Sequence, residues 1–170
     1  MIFITVGTQL PFDRMLTYVA QWLEKSGYTG SVVAQVGEES HFESDSMVIY
    51  KTLSSDQYYQ LFSQAEVVVS HAGMGSILSC LDNQKRGVFL PREFAYSEHR
   101  NDHQLDTANA FANQYPSLTF CFDRNAFHAA LDACVAQAAN GIPIAAVDNT
   151  SDNTLGRRIG AYLGLGSVNE

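Results

Sequence analysis

Residues 2–25 of the chain read IFITVGTQLPFDRMLTYVAQWLEK. The first five residues of this stretch are all β-branched or aromatic, and they run directly into Gly7 and Thr8. That pattern is typical of a buried strand that leads into a tight turn. From Pro11 to Lys25 the apolar residues recur at steps of three and four, which predicts an amphipathic helix. The chain therefore opens with a strand, a glycine turn and a helix.

The same alternation continues along the chain. Further strands are predicted at residues 31–36, 47–50, 66–70, 87–90 and 118–122, and further helices at 54–64, 74–82, 98–113 and 125–139. Apolar strands that alternate with helices are typical of a parallel sheet whose two faces are both covered. The predicted fold class is α/β, a Rossmann-like parallel sheet with helices on both faces, and Ser54 is a possible cap of the second helix.

The length of 170 residues suits one hydrophobic core. We assign residues 1–147 to this domain and residues 148–170 to a polar linker and a tail helix. Leu155, Ile159 and Leu163 recur at helical spacing, which predicts a short amphipathic helix over 155–163. That helix would dock on its own domain or bind a partner.

The composition excludes several classes of function. Ten Lys and Arg residues against 18 Asp and Glu residues give a formal net charge of −8, and no basic stripe for nucleic acid is present. The same charge disfavours direct binding to anionic lipid headgroups. Cys80, Cys121 and Cys134 are widely separated, which suggests neither a disulfide framework nor a zinc cluster. Because no leader pattern and no long apolar run are found, we expect a cytoplasmic protein.

Two turns that follow predicted strands suit an anionic ligand. Ligands of an open parallel sheet bind beyond the carboxyl ends of its strands. One turn is Gly7-Thr8, and the other is the SHAGMGS segment at 70–76. Glycines allow the backbone to approach a ligand closely, and the N–H groups that begin a helix carry partial positive charge. The candidate diphosphate-binding residues are Gly7, Thr8, His71, Gly73, Met74, Gly75 and Ser76.

The glycines of the second turn also fit a tight turn that binds no ligand. They do not form the dinucleotide-binding pattern GxGxxG, because Leu78 stands where its last glycine would be. No GKS or GKT sequence occurs, so a P-loop is disfavoured as well.

Seven consecutive polar residues, EHRNDHQ at 98–104, begin the predicted helix 98–113. Asn, Asp and Gln side chains suit sugar hydroxyls, which both donate and accept hydrogen bonds. One alternative is a capped and solvated first turn of the helix. Another is a zinc site at His99 and His103, whose spacing places them on one helical face, although a third ligand is lacking.

Three segments together resemble a known family. FITVGTQLPFDR at 3–14, VSHAGMGSI at 69–77 and EHRNDHQL at 98–105 are similar to the C-terminal domain of family-28 glycosyltransferases. The resemblance covers roughly residues 1–140 in order. It is greatest to the one-domain subunits of bacterial polysaccharide synthesis and to the soluble subunit of the eukaryotic dolichol-linked N-acetylglucosaminyltransferase.

The resemblance implies the donor-binding half of a GT-B enzyme, in which two Rossmann-like halves hold a nucleotide sugar that is usually UDP-linked. His71, Gly73 and Ser76 match the H-x-G-x-x-S element that holds the diphosphate, and Gly7 and Thr8 match the loop that closes on it. Many relatives carry a ribose-binding glutamate where this chain has a serine. The residues implied for the nucleotide and the donor sugar are Ser79, Glu98, Asn101, Asp102, His103 and Gln104.

The resemblance also implies an inverting transfer in which a helix dipole and hydrogen bonds, with no metal or cofactor, stabilise the departing UDP. The acceptor site and the catalytic base would belong to a membrane-associated partner subunit. That partner would bind a lipid-linked glycan, as in polysaccharide biosynthesis, and would recruit this chain to the cytoplasmic face of the membrane. The chain alone would be inactive.

Two other functions are compatible with the residues. One is a stand-alone UDP-sugar epimerase or hydrolase that uses His71, Glu98 and His103 as titrating groups. The other is a non-catalytic module that binds a nucleotide sugar. The sequence leaves open whether the sugar is glucose, galactose, glucuronate or N-acetylglucosamine.

Overall fold

A computed structural model describes residues 1–8 and 10–145. Strands and helices alternate along this part of the chain. The strands are β1 (Ile2–Thr5), β2 (Val32–Gln35), β3 (Val48–Tyr50), β4 (Val67–His71), β5 (Arg86–Leu90) and β6 (Leu118–Phe120). The α-helices are α1 (Asp13–Ser26), α2 (Ser55–Gln64), α3 (Met74–Asp82), α4 (His103–Phe111) and α5 (Arg124–Ala139), and a 3₁₀ helix spans Phe94–Tyr96.

The strands form one parallel sheet in the order β3-β2-β1-β4-β5-β6. The chain winds outward from β1 to β3 and then returns to place β4 on the other side of β1. The connections that leave β1 and β4 therefore diverge to opposite faces of the sheet, which opens a crevice at the carboxyl ends of these two strands. Both turns that the sequence suggested for an anion lie at this crevice.

Helices cover both faces of the sheet, which confirms the predicted fold class. Alternate residues of β1 point to opposite faces, so that Ile2 and Ile4 pack on one side and Phe3 on the other. Helices α1 and α5 bury their apolar residues on the first side, and α2, α3 and α4 do so on the second. Burial on both sides explains why these strands are continuously apolar.

Most predicted boundaries agree with the structure to within two residues. Helix α3 begins and ends where the sequence placed it. The predicted cap of α2 is confirmed, because the Ser54 hydroxyl accepts a hydrogen bond from the backbone N–H of Gln57 and the Gln57 side chain accepts one from the Ser54 N–H. The predicted segment 148–170, with its helix at 155–163, lies outside the described residues.

The prediction of one helix over 98–113 is wrong in its first part. Helix α4 begins at His103, and the preceding residues form an irregular segment after the 3₁₀ helix. Side chains in that segment bond to groups elsewhere in the chain. The Glu98 carboxylate accepts from Arg14, and Asp102 Oδ1 accepts from the backbone N–H of Phe94 at 2.8 Å. Such bonds give the backbone an alternative to helical structure.

Candidate functional site

A cleft of about 630 Å³ lies at the carboxyl ends of the central strands. It brings together the turn after β1, the turn after β4 and residues that follow β5. Nine of the residues that the sequence singled out line it: Gly7, Thr8, His71, Gly73, Met74, Gly75, Ser76, Ser79 and Gln104. The two turns are distant in sequence, but β1 and β4 are paired neighbours in the sheet, with Thr5 opposite Ser70.

The N-terminus of α3 opens into this cleft. Gly73 is the N-cap residue, and no side chain caps the first turn with a hydrogen bond. The N–H groups of that turn have no acceptor within the helix, and they carry the positive end of the helix dipole. Met74, Gly75 and Ser76, which form the turn, all line the cleft. This arrangement is suited to an anion such as a phosphate group.

The imidazole of His71 fills the space between two glycines. A Cβ atom added to Gly7 would lie 2.8 Å from His71 Cε1, and one added to Gly73 would lie 2.8 Å from His71 Cδ2. Gly7 also has a φ of +83°, which side-chain-bearing residues rarely adopt. A Cβ at Gly75 would meet no protein atom within 4 Å. The sequence pattern predicts that these glycines let the backbone approach a ligand closely. At Gly7 and Gly73 the missing side chain also makes room for the His71 ring.

His71 is electrically neutral at physiological pH. Burial, together with the smaller effect of the positive charge of Arg92, lowers its pKa from 6.5 to about 4. Its Nδ1 atom lies 3.2 Å from Ser70 Oγ, and its Nε2 atom is turned toward Gly73. A neutral imidazole can donate one hydrogen bond to a ligand but is a weak base at pH 7.

The lowered pKa of His71 makes the stability of the fold depend on pH. Between pH 6.5 and about 4 the unfolded chain takes up a proton at this residue that the folded chain does not, so the free energy of unfolding falls as the pH falls through this window. Over the whole window the expected loss from this residue is about 3 kcal/mol. Urea unfolding of the wild type and of His71→Asn across this range measures it. The stability of the variant should depend less steeply on pH, and two parallel curves would contradict the prediction.

Three buried polar residues hold the floor of the cleft together, and we call Thr5, Gln35 and Ser70 the floor residues. The Thr5 hydroxyl donates to Gln35 Oε1 at 2.8 Å, and Gln35 Nε2 donates to the carbonyl of Gly7 at 3.0 Å. Ser70 Oγ lies 2.9 Å from the Thr5 carbonyl and 3.0 Å from Ser76 Oγ. These bonds connect β2, β1, β4 and α3 at one edge of the sheet.

Sequence reasoning did not single out the floor residues, although a signal for them existed. Each is a polar residue at or near the end of a strand that is otherwise apolar, and parallel strands end at the same edge of the sheet. No binding role was predicted for the residues on the β2 and β3 side of the cleft or for the buried Arg92. The additional lining residues that carry polar or aromatic groups are Thr5, Gln35, Glu38, Thr52, Tyr58 and Arg92, together with His99, for which the sequence suggested only the zinc alternative.

Four residues predicted to bind the sugar or nucleotide do not line the cleft: Glu98, Asn101, Asp102 and His103. The Glu98 carboxylate is held by Arg14 Nε at 2.7 Å and Arg14 Nη2 at 2.8 Å. Asn101 Oδ1 lies 3.0 Å from His99 Nδ1, and Asp102 Oδ1 is bonded to the Phe94 N–H. His103 is exposed beside Asp106. These side chains contact other protein groups and do not line the cleft, which differs from their predicted position. Their role in binding the sugar or nucleotide stays a prediction.

The described residues contain no group of three or more His, Cys, Asp or Glu side chains placed to hold a metal ion. His99 and His103, the alternative zinc pair, do not lie on one helix as their spacing suggested. His99 lies in the irregular segment and lines the cleft, whereas His103 begins α4.

Comparison with known families adds an independent observation. The glycosyltransferase family 28 C-terminal domain matches residues 1–139. The chain belongs to this family. That membership confirms the resemblance on which the three sequence segments agreed.

Two curated relatives of this family 28 C-terminal domain are the UDP-N-acetylglucosamine transferase subunits ALG13 of Mus musculus and Homo sapiens. The chain is 33% identical to the mouse protein over 115 residues, which is 62% of the chain and 9% of the relative. It is 30% identical to the human protein over 116 residues, which is 63% of the chain and 10% of the relative. The chain therefore matches about a tenth of the length of these relatives.

Solved structures share the fold of the family 28 C-terminal domain. The solution structure of ALG13 has a TM-score of 0.53 at 18% identity, with 84% of this chain and 87% of that chain covered. The glycosyltransferase of kitacinnamycin has a TM-score of 0.56 at 14% identity, with 94% of this chain and 37% of that chain covered. These likenesses show the α/β architecture of the C-terminal domain of GT-B glycosyltransferases.

Proposed function

We propose that this chain is the donor-binding subunit of a two-component inverting glycosyltransferase, and that its cleft holds the diphosphate of a UDP-sugar. The observation that carries the proposal is the uncapped N-terminus of α3, which opens into the cleft at the switch point between β1 and β4. Family membership supports the reaction class, and the ALG13 relatives, which are UDP-N-acetylglucosamine transferase subunits, support UDP as the nucleotide.

In this proposal the chain stabilises the leaving group. An acceptor hydroxyl attacks the anomeric carbon, the bond from that carbon to the β-phosphate oxygen breaks, and its electron pair stays on the departing UDP. The N–H groups of α3 and its dipole lower the energy of the negative charge that develops there. In the tautomer that carries its proton on Nε2, the imidazole of His71 can donate to a phosphate oxygen. No step in this scheme calls for a metal.

The catalytic base is proposed to lie on a partner subunit. The titratable side chains that line the cleft include His71, Glu38 and His99. The pKa of about 4 makes His71 a poor proton acceptor at neutral pH, and Glu98 is engaged with Arg14. The same observations count against a stand-alone epimerase or hydrolase that uses His71, Glu98 and His103, because only His71 of these three lines the cleft.

Ser79 lines the cleft one turn after Ser76 on α3, at the position where many relatives carry glutamate. A neutral hydroxyl offers the ribose weaker bonding than a carboxylate does. On the β2 and β3 side of the cleft, Leu53 and the half-buried ring of Tyr58 provide an apolar wall that suits a nucleobase. We place the nucleoside on that side and the sugar toward Gln104.

The acceptor in this proposal is a lipid-linked glycan bound by the partner subunit. In the part of the chain that the structure describes, no helix has both the length and the hydrophobicity needed to cross a membrane. Access to a lipid-linked acceptor would therefore come through the partner, which would recruit this chain to the cytoplasmic face of the membrane.

Calorimetry and reconstitution together test the proposed function. We expect the purified chain to bind UDP and UDP-sugars, with the same affinity in EDTA as in Mg²⁺, and to turn none of them over. Co-expression with the membrane-associated acceptor subunit should yield transfer to a polyprenyl-linked glycan from one member of a UDP-sugar panel.

Turnover of a UDP-sugar by the chain alone would favour the epimerase or hydrolase. Binding with no transfer in any co-expression would favour the non-catalytic module, and no binding would refute the donor site.

A further inference from the structure

Arg92, two residues beyond β5, is a buried cation with an unusual set of partners. It is 3% exposed. Its Nη2 atom donates to the carbonyls of Val6 at 2.8 Å and Leu10 at 2.6 Å, and its Nη1 atom donates to the carbonyl of Pro11 at 2.6 Å. These three carbonyls belong to the loop between β1 and α1, which contains Gly7 and Thr8. One side chain thus holds both ends of the loop that borders the phosphate site.

No carboxylate in residues 1–8 and 10–145 comes within ion-pair distance of Arg92. The nearby acidic side chains, Glu93 and Glu98, both pair with Arg14. The Arg92 guanidinium instead bonds to main-chain carbonyls, with Glu98 O at 3.3 Å as a fourth, and lies 4.6 Å from the centre of the Phe12 ring. A buried charge is costly unless it is hydrogen-bonded. The guanidinium therefore needs the carbonyls of the β1–α1 loop at their present positions.

The main chain of Arg92 also orients a second cleft residue. Its backbone N–H donates to Gln104 Oε1 at 3.1 Å. With the oxygen of the carboxamide occupied in this way, the NH₂ group of Gln104 is left for a ligand in the cleft. Arg92 therefore contacts elements on two sides of the cleft and lines it as well.

We infer that Arg92 is a positioning residue, which keeps the β1–α1 loop in the conformation that binds the donor diphosphate. The described residues of this loop, 6–8 and 10–12, form no helix or strand, so their positions depend on bonds from elsewhere. The planar guanidinium reaches four carbonyls from two nitrogens that are held in a fixed fork, whereas the ammonium group of lysine has its three donors on a single nitrogen. The effect of Arg92 on ligand binding rests on the proposed function, whereas its effect on the loop does not.

Arg92→Lys tests this role because it keeps the positive charge and removes the fork of donors. We expect the backbone amide order parameters of Gly7, Thr8 and Leu10 to fall from about 0.85, the value of rigid backbone, to below about 0.6. If the loop then adopts the conformation that binds UDP about a tenth of the time, UDP affinity should fall about tenfold. Nuclear magnetic resonance relaxation and titration with UDP measure both effects on one sample.

Arg86→Lys is the matched control. Arg86 is also buried, at 8% exposure, and its guanidinium also donates to a main-chain carbonyl, that of Ile142. It stands at the first residue of β5, at the opposite edge of the sheet from the cleft. Its replacement should lower thermal stability but leave the order parameters of the loop and the UDP affinity within about twofold of the wild type.

Each outcome decides the inference. Unchanged loop order parameters and unchanged UDP affinity in Arg92→Lys would overturn it. Equal losses of both in Arg86→Lys would also overturn it, because they would indicate a general loss of stability. If Arg92→Lys does not fold, Phe12→Leu removes the ring beneath the guanidinium and should loosen the loop in the same direction, and a rigid loop in that variant would also overturn it. If the wild type does not bind UDP, the proposed function fails, and the order parameters alone decide the role of Arg92.

Discussion

Replacing Gly73 with alanine should weaken UDP binding by about 10- to 100-fold, which corresponds to about 1 to 3 kcal/mol, the usual range for overpacking a filled space. The added Cβ would overlap the His71 ring. Gly7 lies on the other side of the ring, so the ring cannot shift far in that direction. The φ of −88° at Gly73 is open to any residue, so the backbone should keep its conformation. The expected damage is therefore to the position of the imidazole and of the first turn of α3.

Gly75→Ala is the matched comparison for this prediction. It makes the same chemical change two residues later in the same turn, where a Cβ would meet no protein atom within 4 Å. Calorimetric titration of both variants with UDP, with circular dichroism as a check of folding, measures the difference. Gly75→Ala should lose much less affinity than Gly73→Ala. Equal affinities of Gly73→Ala and the wild type would mean that neither His71 nor this turn holds the nucleotide.

Glu98→Ala should lower the free energy of unfolding by about 2 to 4 kcal/mol, because it removes one partner of a largely buried ion pair. The side chains of Arg14 and Glu98 are 14% and 10% exposed. The variant would leave Arg14 with the carbonyl of Pro91 at 2.9 Å and the longer ion pair to Glu93 at 3.3 Å. It would also remove the acceptor of the Glu93 backbone N–H. Urea unfolding measures the loss.

Asp106→Ala is the control for this change. Asp106 faces His103 at 3.9 Å, and the two side chains are 73% and 76% exposed, so its removal should cost less than about 1 kcal/mol. The sequence analysis placed Glu98 among the residues that bind the sugar or nucleotide. A Glu98→Ala variant of unchanged stability, whose preference for UDP-sugar over UDP is lost, would restore that assignment and contradict the structural one.

The fold could be predicted from the sequence because burial leaves a periodic signal. Strands buried on both faces are apolar throughout, as in Val67–Val69, and amphipathic helices show apolar residues at three- and four-residue steps. The switch point could be anticipated in the same way, because the glycine turns directly follow two of these strands. These features depend on neighbours in the sequence and on general rules of chain connection.

The arrangement of side chains around the cleft could not be predicted in the same detail. The polar run 98–104 has the composition of a ligand-binding segment and equally that of a segment whose side chains bond to other parts of the protein. The structure shows the second arrangement at Glu98, whose partner Arg14 is 84 residues away in the sequence. The role of Arg92 likewise depends on carbonyls of Val6, Leu10 and Pro11 that only the folded chain brings within reach. Long-range partners of this kind leave no periodic signal.

The floor residues have a consequence for the evolution and redesign of this domain. Because Thr5, Gln35 and Ser70 bond to one another and to main-chain groups beneath the cleft, the base of the crevice is assembled before any substrate arrives. Exposed residues around the mouth of the crevice, such as Thr8 and Glu38, belong to connecting loops that carry little of the core. In the proposed donor site, the preference for a donor can therefore change through substitutions in those loops while the bonds beneath them stay the same.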